Sequence, residues 1–134
     1  MSSETIIQAE SLAEKVGYVF VGTADKSGVP HLSVSGPMKI LDTDIVSVTQ
    51  WFCPGTMDNL QVNPNISLIV WDSSQDYGFQ LSGKIEKVKD TALLDGFDPQ
   101  KEDRIRIPQV ERLLTVKINR VTHFKKAPHT DTEE

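Results

Sequence analysis

The sequence predicts a mainly β protein, an antiparallel barrel of six or seven short strands with small flanking helices. Short segments in which apolar and polar residues alternate recur along the chain, and turn signals such as DKSG at 25–28 and DTD at 42–44 separate them. Many short strands joined by tight turns are typical of a barrel. The strand–helix–strand spacing of a doubly wound sheet is absent, and so is a Gly-x-Gly-x-x-Gly phrase.

Length and composition fit one soluble domain. The chain has 134 residues, and its net charge of −5 argues against a general nucleic-acid or anionic-membrane partner. No apolar run approaches the roughly 18 residues of a membrane span, and the first residues lack a basic secretory signal. A single cysteine cannot form an internal disulfide, so we expect a cytoplasmic protein. We expect one domain over residues 1–124 and a polar tail over 125–134.

The first third of the chain predicts a helix followed by a hairpin. Apolar residues recur at helical spacing over residues 4–16, with Ser3 as a good N-cap and Gly17 placed to end the helix. The β-rich segments 18–24 and 29–35 flank the DKSG turn and predict paired strands.

The rest of the chain predicts mostly strands. Asn63-Pro64 ends a short helix expected over residues 56–62. The segment 65–71 is almost continuously apolar, which predicts a strand buried on both faces. Residues 90–112 are the least readable, with a short helix expected over 91–96. The strands predicted here cover residues 38–41, 45–50, 65–71, 77–88 and 113–121.

Side chains that could bind a metal or carry catalysis are scattered. His31, His123 and His129 show no metal-ligand spacing, so we expect no metal site. A lone cysteine such as Cys53 is more often inert than nucleophilic. The paired aspartates lie in predicted turns, where aspartate is favoured for conformational reasons. Catalysis by side chains alone therefore has little support.

The stretch QWFCPGTMDNL at 50–60 is the most informative, because an ordinary strand-to-helix loop would be polar. A helix that begins near Thr56 offers free N–H groups and a hydroxyl that could receive a phosphate, although an ordinary N-cap has the same features. Gly55 favours close approach of a ligand. Asp58, expected in the first turn, counts against an anion. Trp51 could shield a flat cofactor, or it could belong to the core or a dimer contact.

In order along the chain, four phrases resemble the pyridoxamine 5'-phosphate oxidase-like family of FMN-binding split barrels. They are YVFVGTADKSGVPHLSVSG, MKILDTDIVSVTQ, GTMDNLQVNPNISLIVWD and YGFQLSGKIEKV. The resemblance covers roughly residues 17–88, with a compatible last strand from residue 113. It rests on the order of the phrases, which includes the DxxGxPH turn and the NL…NP helix end.

The resemblance implies a homodimer with FMN in the groove between subunits. Residues 35–39 would run along the flavin and ribityl chain, Thr49 and Gln50 would lie under the ring edge, and Thr56 would contact the phosphate. Gln80 is close to a family glutamine that touches the ring. The candidate cofactor-binding residues are Ser35, Gly36, Pro37, Met38, Lys39, Thr49, Gln50, Trp51, Gly55, Thr56 and Gln80.

The chain departs from the family pattern at basic positions. Gly55 stands where the family often has a basic residue, and a strand arginine is missing near Val34. Each loss removes a charge-assisted hydrogen bond of roughly 1.5–3 kcal/mol. Lys39, or Arg104 or Arg106 of a partner chain, could compensate. The Arg-Leu-x-Pro segment with which the oxidase binds its substrate is also absent, so oxidation of pyridoxamine phosphate is not expected.

The expected function is that of an FMN-dependent oxidoreductase acting on a small molecule or redox partner. Two alternatives stay open: a non-catalytic module of the same fold for another planar cofactor such as haem or a deazaflavin, and a cofactor-free dimer. A homodimer is expected in each case, because so many aromatic residues near one loop would otherwise expose a large apolar patch.

Overall fold

The computed structural model describes residues 3–51, 53–94, 109–128 and 130–133. Within these residues, two helices and eight strands follow one another. In order they are α1 (Ser3–Val16), β1 (Val19–Ala24), β2 (Pro30–Ser35), β3 (Lys39–Asp42), β4 (Ile45–Trp51), α2 (Pro54–Val62), β5 (Asn65–Asp72), β6 (Tyr77–Leu94), β7 (Gln109–Lys125) and β8 (Thr130–Glu133). Neither helix is long and apolar enough to cross a bilayer.

The strands form one antiparallel sheet, as predicted. Its order is β2-β1-β5-β6-β7-β4-β3, and β8 pairs with β7 outside this path. The sheet curves until β2 approaches β4, and the Gly36 N–H donates a 3.0 Å hydrogen bond to the Thr49 carbonyl oxygen just beyond the end of β2. The predicted mainly β fold is therefore confirmed, with seven strands on the main path of the sheet and an eighth beside it.

The core lies inside the curved sheet and under α1. The helix buries Ile6, Ala9 and Ala13 against it, and the largest fully buried strand side chains include Phe79 and Leu68. Burial of such apolar surface contributes about 25 cal/mol per Å2 to the free energy of folding.

Local sequence signals place the first turns correctly. Gly17 ends α1 with a φ of +98°, a conformation that favours glycine, and its N–H bonds to the Ala13 carbonyl at 2.8 Å. In the β1–β2 hairpin, Gly28 has a φ of +88° and the Asp25 carboxylate accepts hydrogen bonds from two backbone N–H groups.

The prediction that residues 65–71 are buried on both faces is wrong for the single chain. β5 alternates instead, with Leu68 and Val70 buried, Ile69 half-buried and Trp71 36% exposed. The outward side of β5 faces away from the only core that the described residues form. Among the described residues, no second core covers the apolar residues on that side.

Two further predictions differ from the structure at the C-terminal end. The described part of the helix expected over 91–96 is strand, because β6 continues through residue 94 in register with β7. The rest of that helix and Arg104 and Arg106 lie outside the described residues. The frayed tail expected from Lys125 is also wrong, since β8 pairs with β7. The Asp76 carboxylate supports this pairing by accepting the N–H groups of Lys126 and Ala127 at 2.7 and 2.8 Å.

Candidate functional site at the start of helix α2

Helix α2 begins two residues earlier than the sequence predicts. Pro54 occupies the first turn, where its fixed φ suits a helix and its missing N–H is not needed. Cys53 is the N-cap, but its side chain makes no capping hydrogen bond, and the first helical bond runs from Met57 N to Cys53 O at 3.1 Å. The expectation that Thr56 starts the helix is therefore wrong, since Thr56 lies inside the first turn.

This shift changes the electrostatics expected at the helix end. With α2 beginning at Pro54, Asp58 lies beyond the first turn, which contains no acidic side chain. The free N–H groups and the positive end of the helix dipole thus face no carboxylate of their own turn. Asp58 therefore does not belong to the turn whose N–H groups could bind an anion.

A buried polar cluster, formed by Ser33, Gln50 and Thr56, joins α2 to the barrel. Ser33 Oγ lies 2.7 Å from Thr56 Oγ1, and Gln50 Nε2 donates to Ser33 Oγ, also at 2.7 Å. Thr56 is completely buried and Gln50 is 3% exposed. The sequence predicts that the Thr56 hydroxyl contacts a phosphate, but in the structure this hydroxyl hydrogen-bonds to Ser33 of β2.

The Gln50 amide is only half satisfied. Its oxygen, Oε1, is buried and has no hydrogen-bond partner among the residues that the structure describes. An unpaired buried polar atom costs about 1–3 kcal/mol. A donor that enters the cluster from outside the chain would remove this cost.

Gly55 accommodates a neighbouring imidazole. A Cβ atom at this position would lie 2.8 Å from Cε1 and 2.9 Å from Nε2 of His31. His31 pairs with Thr23 in the β1–β2 hairpin and is itself exposed. The ring of His31 therefore lies against the first turn of α2, where a Cβ at position 55 would require the ring to move.

The thiol of Cys53 is not activated. Burial raises the pKa of Cys53, against the opposing effects of the Ser33 hydroxyl and the positive charge of Arg112. The thiol donates to the Trp51 carbonyl oxygen at 3.2 Å. A protonated thiol is a weak nucleophile.

The other predicted residues on β2 and its continuation differ in accessibility. The Ser35 hydroxyl is turned to backbone carbonyls, at 2.9 Å from Gly36 O and 3.3 Å from Val19 O. Pro37 is exposed, whereas Met38 is 2% exposed and packs in the core. Any contact of Met38 with a cofactor would therefore involve mainly its backbone, and its assignment to the cofactor site stays a prediction.

Lys39 lies at a groove that is separate from the polar cluster of Ser33, Gln50 and Thr56. The groove has a volume of about 340 Å3 and is also lined by Glu10 and Glu14 of α1. The Glu10 carboxylate accepts the Ile40 N–H at 2.7 Å. Two carboxylates thus share this groove with the Lys39 ammonium.

Gln80 lies in a groove of about 280 Å3 on strands β1, β2, β5 and β6. The missing side chain at Gly22 leaves a hollow between Leu32 and Ile69, whose methyl groups would lie 3.5 and 3.8 Å from a Cβ there. Gln80 Nε2 donates to Ser67 Oγ at 3.2 Å. His31 also lines this groove.

An outer apolar face surrounds this groove. We use that name for Phe20, Leu32, Val34, Ile69 and Trp71. Phe20 pairs with Val34 on one side and with Ile69 on the other, so these side chains adjoin one another. Leu32 is 62% and Val34 52% exposed, which is unusual for adjacent large apolar residues. Trp51, 42% exposed, lies at the end of β4, and Phe52 is outside the described residues.

Sequence reasoning missed two residues that the structure brings to this site. Ser33 links Gln50 to Thr56, and the alternation of polar residues in β2 could have indicated that it faces inward. His31 was considered only as a metal ligand, although the DxxGxPH turn contains it. In the part of the chain that the structure describes, no group of three potential metal ligands occurs.

Comparisons with known proteins agree with this architecture. The family model for pyridoxamine 5'-phosphate oxidase matches residues 7–124. An uncharacterised protein of Methanocaldococcus jannaschii is 27% identical over 114 residues, which cover 82% of this chain and 74% of that protein.

Solved structures show the same fold at low sequence identity. A Clostridium acetobutylicum protein related to general stress protein 26 has a TM-score of 0.67 at 18% identity, over 99% of this chain and 96% of that chain. A Nostoc punctiforme protein, described as pyridoxamine 5'-phosphate oxidase-related and FMN-binding, has a TM-score of 0.64 at 14% identity, over 92% and 84%.

Proposed function

Because this chain belongs to the pyridoxamine 5'-phosphate oxidase family, we propose that it is a homodimeric FMN-binding protein. We further propose that it acts as an oxidoreductase on a small molecule or redox partner. When bound, the isoalloxazine would supply the electron or hydride transfer, and the protein would position and tune it.

The observation that carries the proposal is the half-satisfied amide of Gln50. Gln50 Oε1 is a buried acceptor without a donor among the described residues, and it lies at the cluster that joins β2, β4 and α2. A flavin carries both a ring N–H and ribityl hydroxyls, which are suitable donors. Exchange of the two amide atoms would leave Nε2 unpaired instead, so in either orientation one atom lacks a partner among the described residues and can accept one from a ligand.

The start of α2 suits the anionic end of the cofactor. Gly55 is partly exposed and its N–H precedes the first helical bond, so it can donate to a phosphate oxygen. Thr56 acts as an anchor that fixes the first turn to Ser33. The phosphate contact that the sequence predicts for the Thr56 hydroxyl is thus made by the backbone N–H of Gly55 in this proposal.

The hollow at Gly22 suits an apolar ring system. Leu32 and Ile69 form its walls, and the Gln80 amide and Ser67 hydroxyl provide polar contacts nearby. Flat heterocycles are commonly bound between apolar walls with a few oriented polar groups.

A second copy of the chain is the occupant that we propose for the outer apolar face. Leu32 and Ile69 belong both to this face and to the cofactor groove, so a partner that covers the face also encloses the groove. Burial by a partner also explains why β5 carries apolar residues on both sides although only one side is buried in the single chain.

The proposal is tested by purifying the protein without added cofactor and recording its visible spectrum. We expect a flavin spectrum, or quenching of FMN fluorescence on titration into the colourless protein, together with a dimer in sedimentation velocity. A haem or deazaflavin spectrum would replace FMN by another planar cofactor. A colourless dimer that binds none of these ligands would overturn the proposal in favour of a cofactor-free dimer.

A further inference from the structure

We propose that His31 is the side chain that binds the phosphate of FMN at the start of α2. This inference rests on the proposed function and names the residue that discriminates FMN from a flavin without phosphate. No basic side chain lies in the first turn of α2, which consists of Pro54, Gly55, Thr56 and Met57. A cation at this end of the helix must therefore come from another element.

The geometry places the His31 ring at the required position. Its Cε1 and Nε2 atoms are 2.8 and 2.9 Å from the point where a Cβ of Gly55 would lie. The antiparallel pairing of His31 with Thr23 holds its backbone, and α2 bonds to the same strand pair through Asn59 Nδ2 and Thr23 Oγ1 at 3.0 Å. Hairpin and helix are thus fixed relative to each other around the imidazole.

The imidazole is available for a ligand. His31 is exposed and has no hydrogen-bond partner among the described residues, so its ring nitrogens are free to donate. One N–H of the neutral ring, or both of the cation, can bond to phosphate oxygens. Beside it the Gly55 N–H points from the start of the helix, so side chain and backbone can bind the same anion.

A helix end and a nearby histidine do not by themselves require a ligand. The independent observation is Gln50, which is only 3% exposed. Its amide oxygen has no hydrogen-bond partner among the described residues. Its amide nitrogen belongs to the cluster that includes Thr56, which lies in the same helical turn as Gly55. A ligand that extends from His31 and Gly55 toward β4 would satisfy both features if one of its donors reached Gln50 Oε1. Arg112 acts electrostatically on Cys53, but its Nε is bonded to Asp90 at 3.2 Å.

The first experiment compares FMN with riboflavin, which lacks the phosphate. Each flavin is titrated into wild-type protein, His31→Ala and His31→Gln, with fluorescence quenching as the readout. For His31→Ala we expect the FMN Kd to rise on the order of tenfold, and the riboflavin Kd to change less than about twofold. His31→Gln, which keeps an N–H donor, should lie between. Lys26→Ala, in the exposed hairpin turn, is the matched control and should change neither Kd.

The second experiment uses the contact between His31 and Gly55. Gly55→Ala displaces the ring, so it should weaken FMN binding although alanine favours helix formation. In the double variant with His31→Ala, the added Gly55→Ala change should alter the FMN Kd less than about twofold. Additive effects would overturn the inference.

The outcomes separate this inference from the proposed function. Wild-type protein that binds neither flavin overturns both. Wild-type protein that binds FMN, with equal FMN and riboflavin responses to His31→Ala, overturns only the role of His31. A selective loss for Arg112→Gln, with none for His31→Ala, would assign the phosphate to Arg112 and would also overturn it.

Discussion

The Lys15 ammonium donates a 2.8 Å hydrogen bond to Asp72 Oδ2 and so connects the last turn of α1 to the end of β5. The other carboxylate oxygen of Asp72 accepts the N–H and the hydroxyl of Ser74 at 2.9 and 2.6 Å. The helix that covers the core is thus joined to the sheet by a carboxylate with three donors.

This contact predicts an acid-dependent loss of stability. The Lys15 hydrogen bond, followed by those from Ser74, lowers the pKa of Asp72 well below its usual range. The carboxylate therefore stabilises the fold above its unfolded-state pKa of about 3.9, and this contribution is lost as the pH falls through the acid range. We expect Asp72→Asn to lower the free energy of unfolding at pH 7 more than at pH 3, measured by urea denaturation. Asp58→Asn, on the exposed side of α2, is the control. A deficit of equal size at both pH values would contradict the assignment.

The polar cluster predicts that two conservative substitutions lower the free energy of unfolding by different amounts. Ser33→Ala leaves the Gln50 amide and the Thr56 hydroxyl without their shared partner, and we expect it to cost about 1–3 kcal/mol. Gln50→Met removes the unpaired oxygen together with the donor and keeps the Ser33–Thr56 bond, so we expect a change below about 1 kcal/mol. Urea unfolding of both variants without cofactor tests this order. A larger loss for Gln50→Met would show that its amide is fully satisfied in solution.

Two glycines in the sheet predict very different responses to alanine. A Cβ on Gly83 would overlap the carbonyl oxygen of Lys117, at a register shift between β6 and β7. Because this oxygen belongs to the backbone of a paired strand, it cannot move aside as the end of a side chain can. We expect Gly83→Ala to cost about 3 kcal/mol. At Gly22 the nearest atom would be 3.5 Å away, an ordinary contact, so Gly22→Ala should change stability by less than about 1 kcal/mol. Gly22→Ala should nevertheless weaken flavin binding, because it fills the hollow.

The outer apolar face predicts where a charge disrupts assembly. Leu32→Glu places a carboxylate in the proposed interface, and we expect a monomer in sedimentation velocity with a weakened affinity for FMN. Ile7→Glu, at a 53% exposed position on α1, introduces the same charge outside this face and should leave the dimer intact. A Leu32→Glu variant that stays dimeric would place the interface elsewhere.

Most of the secondary structure was predictable because its causes are local. The DKSG turn formed as expected since the Asp25 side chain and the positive φ of Gly28 act within five residues. The helix over residues 4–16 ended at Gly17 for the same kind of reason. Local patterning failed where partners are distant: β6 continues past residue 90, and β8 exists, because β7 provides backbone donors and acceptors for both.

By itself, then, the sequence determined the family and the antiparallel barrel. Tertiary structure alone decided which side chains of the candidate site contact one another. A start of α2 at Pro54 turned the Thr56 hydroxyl into the barrel, and the hairpin brought His31 against Gly55, 24 positions further along the chain by their numbers. Such contacts depend on how two elements pack, and no pattern within either element encodes the distance between them.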